Sequence, residues 1–135
     1  MHKNKTLVTF LAATLGGLGV HRFYLCGWRD KWAWLHLCCI PITLAAISLG
    51  WGHQLFFQSS ALWLSILCGL LEALVLGLIP DEQWDRRYNP GSSRVSASAW
   101  PLALLLVLTL GFGATALIGV IARSFDLFFT GGAFG

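Results

Sequence analysis

Residues 100–122, WPLALLLVLTLGFGATALIGVIA, contain no charged side chain and are long enough to cross a lipid bilayer as one helix. A helix rises about 1.5 Å per residue, so about 20 apolar residues span a hydrocarbon core of about 30 Å. Two further apolar segments of sufficient length are Trp32 to Gly50 and Ala61 to Ile79. Their apolarity is continuous rather than alternating, which favours helices over the strands of a membrane barrel.

The composition of the whole chain agrees with this pattern. Hydrophobic residues make up 56% of the 135 residues and charged residues 11%, whereas a soluble domain carries roughly 25% charged residues. So few charges cannot cover a surface that faces water. We therefore predict an all-α fold, an integral membrane bundle of three to four transmembrane helices with the first one short or re-entrant.

The basic residues do not indicate a nucleic-acid partner. The net charge is +3, but the basic residues flank apolar segments instead of forming one patch or stripe. The cysteines lack the spacing of a zinc site or a disulfide framework, and of the histidines only His36 lies inside a predicted helix. No metal or cofactor is expected, and lipid is the expected surrounding.

The first apolar segment, Thr6 to Val20, leaves two topologies open because it is shorter than a bilayer core. If it crosses, Lys3 and Lys5 lie outside, and six of the nine basic residues lie on the cytoplasmic side. If it dips in and returns, eight of the nine lie on that side. The charge count favours the re-entrant segment, and both topologies remain possible.

Basic loops set the predicted orientation in either case. Loops 21–31 and 80–99 contain lysine or arginine and are predicted to face the cytoplasm, whereas loop 50–60 has neither and is predicted to lie outside with the carboxyl terminus. A bacterial inner membrane is the expected location. Residues 1–90 are predicted to form one membrane domain, 91–99 a linker, and 100–135 an added helix with an aromatic, glycine-rich tail that includes Phe125, Phe128 and Phe129.

The most distinctive stretch is GGLGVHRFYL, residues 16–25. Its glycines allow close backbone approach and a cationic pair follows them directly, so we predict a tightly packed helix end. The glycine spacing matches neither phosphate-binding pattern. Arg22 is expected to contact lipid phosphate, a carboxylate or helix-end carbonyls, and Tyr24 to lie at the interface. The candidate interaction residues of this stretch are His21, Arg22, Phe23 and Tyr24.

This stretch resembles the two-transmembrane, or TM-two, domain family. The resemblance extends from Lys5 to about Asn89, with weaker matches at Glu72 and at Tyr88-Asn89. It departs from the family at Cys26, which precedes the usual glycine, and at Cys68, which replaces a usual tryptophan. The resemblance implies a membrane domain and brings no settled activity with it.

Glu72 lies near the middle of the third long apolar segment. An ionisable group at such depth costs several kcal/mol unless it is paired, protonated or hydrated, so it is a candidate functional site. The alternative is a paired glutamate that locks helices together, and this is favoured because no second intramembrane carboxylate is available for a relay. The expected partner is Arg22, His36 or a hydroxyl group such as that of Thr43, Ser48 or Ser65.

Two ridges of small residues, each spaced by four, are predicted to form helix contacts because small side chains let membrane helices approach closely. Their partners could lie in this chain or in another subunit. The first ridge lies in the third long segment and the second in the last one. Their members are Gly69, Ala73 and Gly77, and Gly111, Thr115 and Gly119.

Three functional hypotheses follow from these features. The first is a non-catalytic accessory or assembly subunit that packs against other membrane subunits or another copy of itself. The second is a small transporter or channel that uses Glu72. The third is a membrane enzyme that acts on lipid through His21 and Arg22; it ranks lowest because the sequence shows no catalytic constellation, and no enzymatic activity is expected.

Overall fold

The computed structural model describes residues 2–50 and 54–133, so the predicted loop 50–60 and the predicted tail each lie partly outside the described residues. Within these ranges the regular secondary structure is entirely helical, and three helices are long and apolar enough to cross a membrane. The predicted all-α membrane bundle is confirmed. The helices are α1 (Lys5–Leu15), α2 (Val20–Cys26), α3 (Lys31–Ser48), α4 (Leu55–Gln58), α5 (Ser60–Leu78), α6 (Asp81–Tyr88) and α7 (Trp100–Thr130), with a 3₁₀ turn at Gly16–Leu18 between α1 and α2.

Local sequence explains several helix ends. The Asn4 side chain accepts a hydrogen bond from the Leu7 backbone N–H at 3.1 Å, and Asp30 accepts one from Trp32 at 2.9 Å. Both satisfy backbone donors that a first helical turn leaves unpaired. Helix α7 continues past the predicted end at Ala122 and stops at Gly131, where φ is 68°. The aromatic residues assigned to a tail, Phe125, Phe128 and Phe129, therefore lie on the helix.

Helix α1 runs antiparallel to α5 and ends against the middle of it. At its start, the Lys5 Nζ donates to the Ile79 carbonyl at 2.5 Å. At its end, a Cβ on Gly69 would lie 2.6 Å from the Gly16 Cα. The 3₁₀ turn then leads to Gly19, whose φ of 71° is accessible to glycine with little strain.

After Gly19 the chain returns toward the side on which α1 begins. His21 lies level with Glu72, with 2.5 Å between Nε2 and Oε2. At the end of α2, the Leu25 carbonyl accepts a hydrogen bond from Lys3 Nζ at 2.5 Å, and the Leu25 side chain is buried together with Trp84. The first apolar segment is thus a re-entrant hairpin, made of α1, the 3₁₀ turn and α2.

The ends of the long helices fall on two sides. The amino terminus, the turn between α2 and α3, and α6 lie together on one side, where the Trp84 Nε1 donates to the Lys3 carbonyl at 3.0 Å. Helix α4 and the end of α7 lie on the other, where the Phe57 and Phe128 rings are 5.1 Å apart. Helices α3, α5 and α7 connect the two sides, so the described chain contains three crossings and one hairpin.

The segment predicted as a linker, 91–99, is held to α6. Asp85 accepts a hydrogen bond from the Ser96 backbone N–H at 2.7 Å, and Asp81 accepts one from Ser98 at 2.6 Å. The hydrogen bonds from the Asn89 amide and from Ser96 lower the pKa of Asp85 to about 2. The segment therefore fixes the start of α7 relative to α6, although turn-forming residues suggested a simple connection.

Candidate functional site

A group of polar side chains lies inside the bundle, where the hairpin meets α3 and α5. Its centre is Glu72 on α5. Oε1 of Glu72 accepts hydrogen bonds from Nε of Arg22, at 2.7 Å, and from Nη2 of the same guanidinium. Oε2 faces Nε2 of His21 at 2.5 Å. A guanidinium and an imidazole thus divide the two oxygens of one carboxylate between them.

The turn of the chain at Gly19 brings these side chains to Glu72. His21 and Arg22 lie in the first turn of α2, directly after Gly19. A Cβ on Gly19 would lie 2.8 Å from the Ala33 carbonyl oxygen, so glycine lets α3 approach the hairpin closely. Helix α3 then brings His36 to the carboxylate, with 3.8 Å between His36 Nε2 and Glu72 Oε2.

The group extends from the interface toward the middle of the bundle. On the interface side, Nη1 of Arg22 lies 3.4 Å from Oδ2 of Asp30, the residue that caps α3. On the inner side, His36 Nδ1 lies 2.7 Å from the Ser65 Oγ. The Ser65 hydroxyl donates to the Gly17 carbonyl at 2.7 Å. We call the six residues of this chain the polar cluster: His21, Arg22, Asp30, His36, Ser65 and Glu72.

The partners expected for Glu72 are only partly those found. Arg22 bonds to it directly, His36 is close to it, and Ser65 reaches it only through His36. Ser48 bonds to the Leu44 carbonyl instead, and Thr43 Oγ1 is buried without a hydrogen-bond partner among the described residues.

His21 was not among the partners predicted for Glu72 from the sequence, although it contacts the carboxylate directly. Neighbouring residues on a helix point about 100° apart, which argues against both His21 and Arg22 reaching one carboxylate. The long arginine side chain overcomes this angle. The adjacent basic pair, facing a lone intramembrane acid, was the signal that could have found both contacts.

Phe23 and Tyr24 lie outside the polar cluster. The Phe23 ring packs against the rings of Trp28 and Trp34, with centroids 5.2 and 5.5 Å away. Tyr24 is half-buried against the small core formed by Val8, Leu25 and Trp84. Both aromatic residues therefore hold the returning end of the hairpin in place.

The first ridge of small residues packs within the chain. Gly69 touches the Gly16 backbone, and Ala73 is fully buried. A Cβ on Gly77 would lie 2.5 Å from the Leu106 side chain and 3.1 Å from Thr9. The sequence left open whether the partner of this ridge lies in this chain or in another subunit. In the structure the ridge packs against the chain's own hairpin, and α7 also contacts it near Gly77.

The second ridge faces away from the chain. A Cβ on Gly111 or Gly119 would meet no heavy atom of the described residues within 4 Å. Thr115, between them, is exposed, and its hydroxyl bonds only to the Gly111 carbonyl, at 2.9 Å. Gly113, on another face of α7, packs near Leu70 at 3.7 Å. This ridge is thus open along its length.

The arrangement gives little support to chemistry on lipid or a metal. His21 is fully buried, and the Arg22 guanidinium is bound by two carboxylates. No group of three or more histidine, cysteine, aspartate or glutamate residues among the described positions could hold a metal ion. The contacts of His21 and Arg22 are those of groups that fasten the hairpin to α5.

Comparison with known proteins gives one positive result. No curated protein and no solved structure matches the chain. A family model, described as TM2 domain, matches residues 1–51, which include the hairpin, α3 and the His21–Arg22 pair. Glu72 and the Tyr88-Asn89 pair lie beyond the matched residues. The match confirms the resemblance to the two-transmembrane domain family over residues 1–51, and with three helices long and apolar enough to cross a membrane the chain is a membrane protein.

Proposed function

We propose that the chain is a non-catalytic accessory or assembly subunit that packs against other subunits of a larger membrane complex. The observation that carries this proposal is the open ridge of α7, defined by Gly111, Thr115 and Gly119. Membrane helices associate through dispersion and close packing rather than a hydrophobic drive, and small residues at this spacing make such packing possible.

The two ridges of the chain provide an internal comparison. Gly69 on α5 is in backbone contact with Gly16, and Ala73 has no exposed surface. On α7, Gly111, Thr115 and Gly119 have the same four-residue spacing. Nothing in the described chain covers the two glycines. A covered ridge on one helix and an open ridge on another support a partner helix for the second.

The polar cluster supports a structural role in the same subunit. Its carboxylate, guanidinium and imidazole groups bond to one another and join the hairpin, α3 and α5. Intramembrane polar contacts of this kind stabilise helix packing, with values of about 0.6–2 kcal/mol in measured cases. The polar cluster fixes the hairpin, α3 and α5 to one another, while one ridge of α7 stays uncovered. This arrangement suits an assembly subunit.

Extraction of the full chain from its native membrane in mild detergent, followed by native mass measurement, tests the proposal. We expect a species heavier than one chain. In Gly111→Ile and Gly119→Ile this species should be lost, because isoleucine keeps a partner helix at a distance while its Cβ meets no heavy atom of the described residues within 4 Å.

The matched control is Ala103→Ile, which adds an isoleucine at an exposed position of α7 more than two turns away from Gly111 and on another face. It should leave the heavier species intact. A wild-type chain that is monomeric and carries no partner, or an equal loss of association in Ala103→Ile, would overturn the proposal.

We further propose that the side bearing the amino terminus faces the cytoplasm of a bacterial cell. With the hairpin returning to its starting side, eight of the nine basic residues lie toward that side and only Arg123 lies toward the other. Cytoplasmic loops carry the excess of lysine and arginine.

A small transporter or channel is the second candidate, and the position of Glu72 favours it. This carboxylate is partly buried between two histidines, and intramembrane acids often mark ion or proton pathways. If Glu72→Gln leaves flux across proteoliposomes unchanged, the transport hypothesis fails. The transport hypothesis also fails if proteoliposomes with the wild-type chain show no flux.

A further inference from the structure

The hydrogens of the inner part of the polar cluster can be assigned from the contacts. The Gly17 carbonyl oxygen can only accept, so the single hydroxyl hydrogen of Ser65 points to it. Ser65 Oγ must then accept from its other neighbour, His36 Nδ1, at 2.7 Å. His36 therefore carries its hydrogen on Nδ1, and in neutral His36 the Nε2 is a bare acceptor.

The hydrogens around His21 and Glu72 follow from burial. His21 Nδ1 is buried and has no hydrogen-bond partner among the described residues. A buried N–H without a partner is rarer in proteins than a bare acceptor, so His21 carries its hydrogen on Nε2 and donates it to Glu72 Oε2. The Glu72 carboxylate thus accepts from both His21 and Arg22 and is ionised.

Two acceptors therefore face each other across the remaining gap. His36 Nε2 is bare and Glu72 Oε2 is anionic, and they lie 3.8 Å apart with no hydrogen between them. The formal charges of the polar cluster also favour one added proton at this gap. Arg22 is positive while Asp30 and Glu72 are negative, so with two neutral histidines the polar cluster has one excess negative charge. Burying an unbalanced charge is costly, and one added proton removes it.

We propose that the gap between His36 Nε2 and Glu72 Oε2 is a binding site for one exchangeable proton. The proton comes from water on the side of Asp30 and adds to the Nε2 lone pair, which converts His36 to an imidazolium. The imidazolium then donates to Glu72 Oε2, and the gap closes toward the roughly 2.8 Å of a charge-assisted hydrogen bond. Helix α3 is drawn onto α5 when the proton binds.

Among the described residues, the charged and titratable groups that face His36 all belong to the polar cluster. The hairpin contributes His21, whose ring lies 6.2 Å from that of His36, and Arg22; α5 contributes Glu72; the start of α3 contributes Asp30. On the inner side the polar contacts stop at the Gly17 carbonyl. The proton is therefore expected to enter and leave on the Asp30 side, which describes a proton-responsive contact rather than a pathway across the bilayer.

Nitrogen NMR of the full chain, labelled with ¹⁵N-histidine and held in lipid bilayers, tests the proposal over a series of pH values. His36 should show one protonated and one bare nitrogen at high pH and two protonated nitrogens at low pH. The His36→Gln variant identifies its signals among those of the four histidines. In Glu72→Gln, the imidazolium signal should be lost from that pH range.

Glu82→Gln is the matched control, since it removes an exposed carboxylate on α6 outside the polar cluster. It should leave the His36 signals unchanged. The wild-type titration decides the question even if Glu72→Gln does not fold. A His36 that stays neutral at every pH, or that carries its hydrogen on Nε2 when neutral, would overturn the proposal.

Discussion

Arg22 and Glu72 meet where the hairpin packs on α5, in surroundings that water cannot fully solvate. Removing Glu72 leaves the Arg22 guanidinium with only its longer contact to Asp30, and removing Arg22 leaves both carboxylates without a guanidinium partner. We expect Arg22→Gln and Glu72→Gln each to lower the free energy of unfolding by about 3 kcal/mol. The double variant should lose less than the two single losses together, because both single variants break the same contact. Unfolding of the four proteins in mixed detergent micelles measures this coupling.

A control pair for this comparison of single and double variants lies on α6. Glu82 and Arg86 are exposed, have opposite charge and are spaced one helical turn apart. Changing either to glutamine should shift the free energy of unfolding by no more than about 0.5 kcal/mol. Strictly additive losses for Arg22 and Glu72 would show that their contact does not couple the two helices.

At the scale of elements, close backbone approach joins the hairpin to α5. A Cβ on Gly69 would lie 2.5 Å from the Gly16 carbonyl carbon, and backbone cannot move aside as a side chain can. We expect Gly69→Ala to lower the free energy of unfolding by about 1–3 kcal/mol. Thermal unfolding in lipid nanodiscs is a suitable measurement.

Gly111→Ala is the matched change for Gly69→Ala, on a helix face that nothing in the described chain covers. Because alanine favours helix more than glycine does, the monomer should keep its stability or gain up to about 1 kcal/mol. Equal losses in both variants would mean that the contact between Gly16 and Gly69 does not set the packing.

The attachment of segment 91–99 to α6 should depend on pH. Because the pKa of Asp85 in the fold is about 2, below the ordinary value of 3.8, the attachment is stabilised above that ordinary value and is lost as the pH falls through about 2. The Ser96 amide resonance should shift over this range. In Asp85→Asn it should already have shifted at neutral pH, while Glu82→Gln should have no effect.

At the scale of the whole molecule, the hairpin fixes which chain ends share a side of the membrane. In a cysteine-free background, single cysteines at positions 4 and 29 should react with a membrane-impermeant reagent from the same side as one at position 82. A cysteine at position 130 should react from the opposite side. Labelling of position 4 together with position 130 would mean that the first segment crosses.

The three long crossings and their helical nature followed from sequence alone, whereas the number of crossings stayed open between three and four. Hydrocarbon offers backbone groups no hydrogen-bond partners, so any long uncharged run must satisfy its own backbone as a helix. Trp32 to Gly50 and Ala61 to Ile79 were therefore placed within a few residues of α3 and α5. The pairing of Glu72 with Arg22 was also predictable, because a lone intramembrane acid needs a partner and the chain offers few.

Only the tertiary structure decided the course of the first segment and the full set of contacts around Glu72. The segment Thr6 to Val20 returns because Gly16 packs against the Gly69 backbone and Gly19 packs against α3. Neither contact is encoded by hydropathy, since both join residues far apart in the chain. The same reversal brings His21 and His36 to one carboxylate, which the sequence could not determine because each histidine's depth depends on how its helix packs.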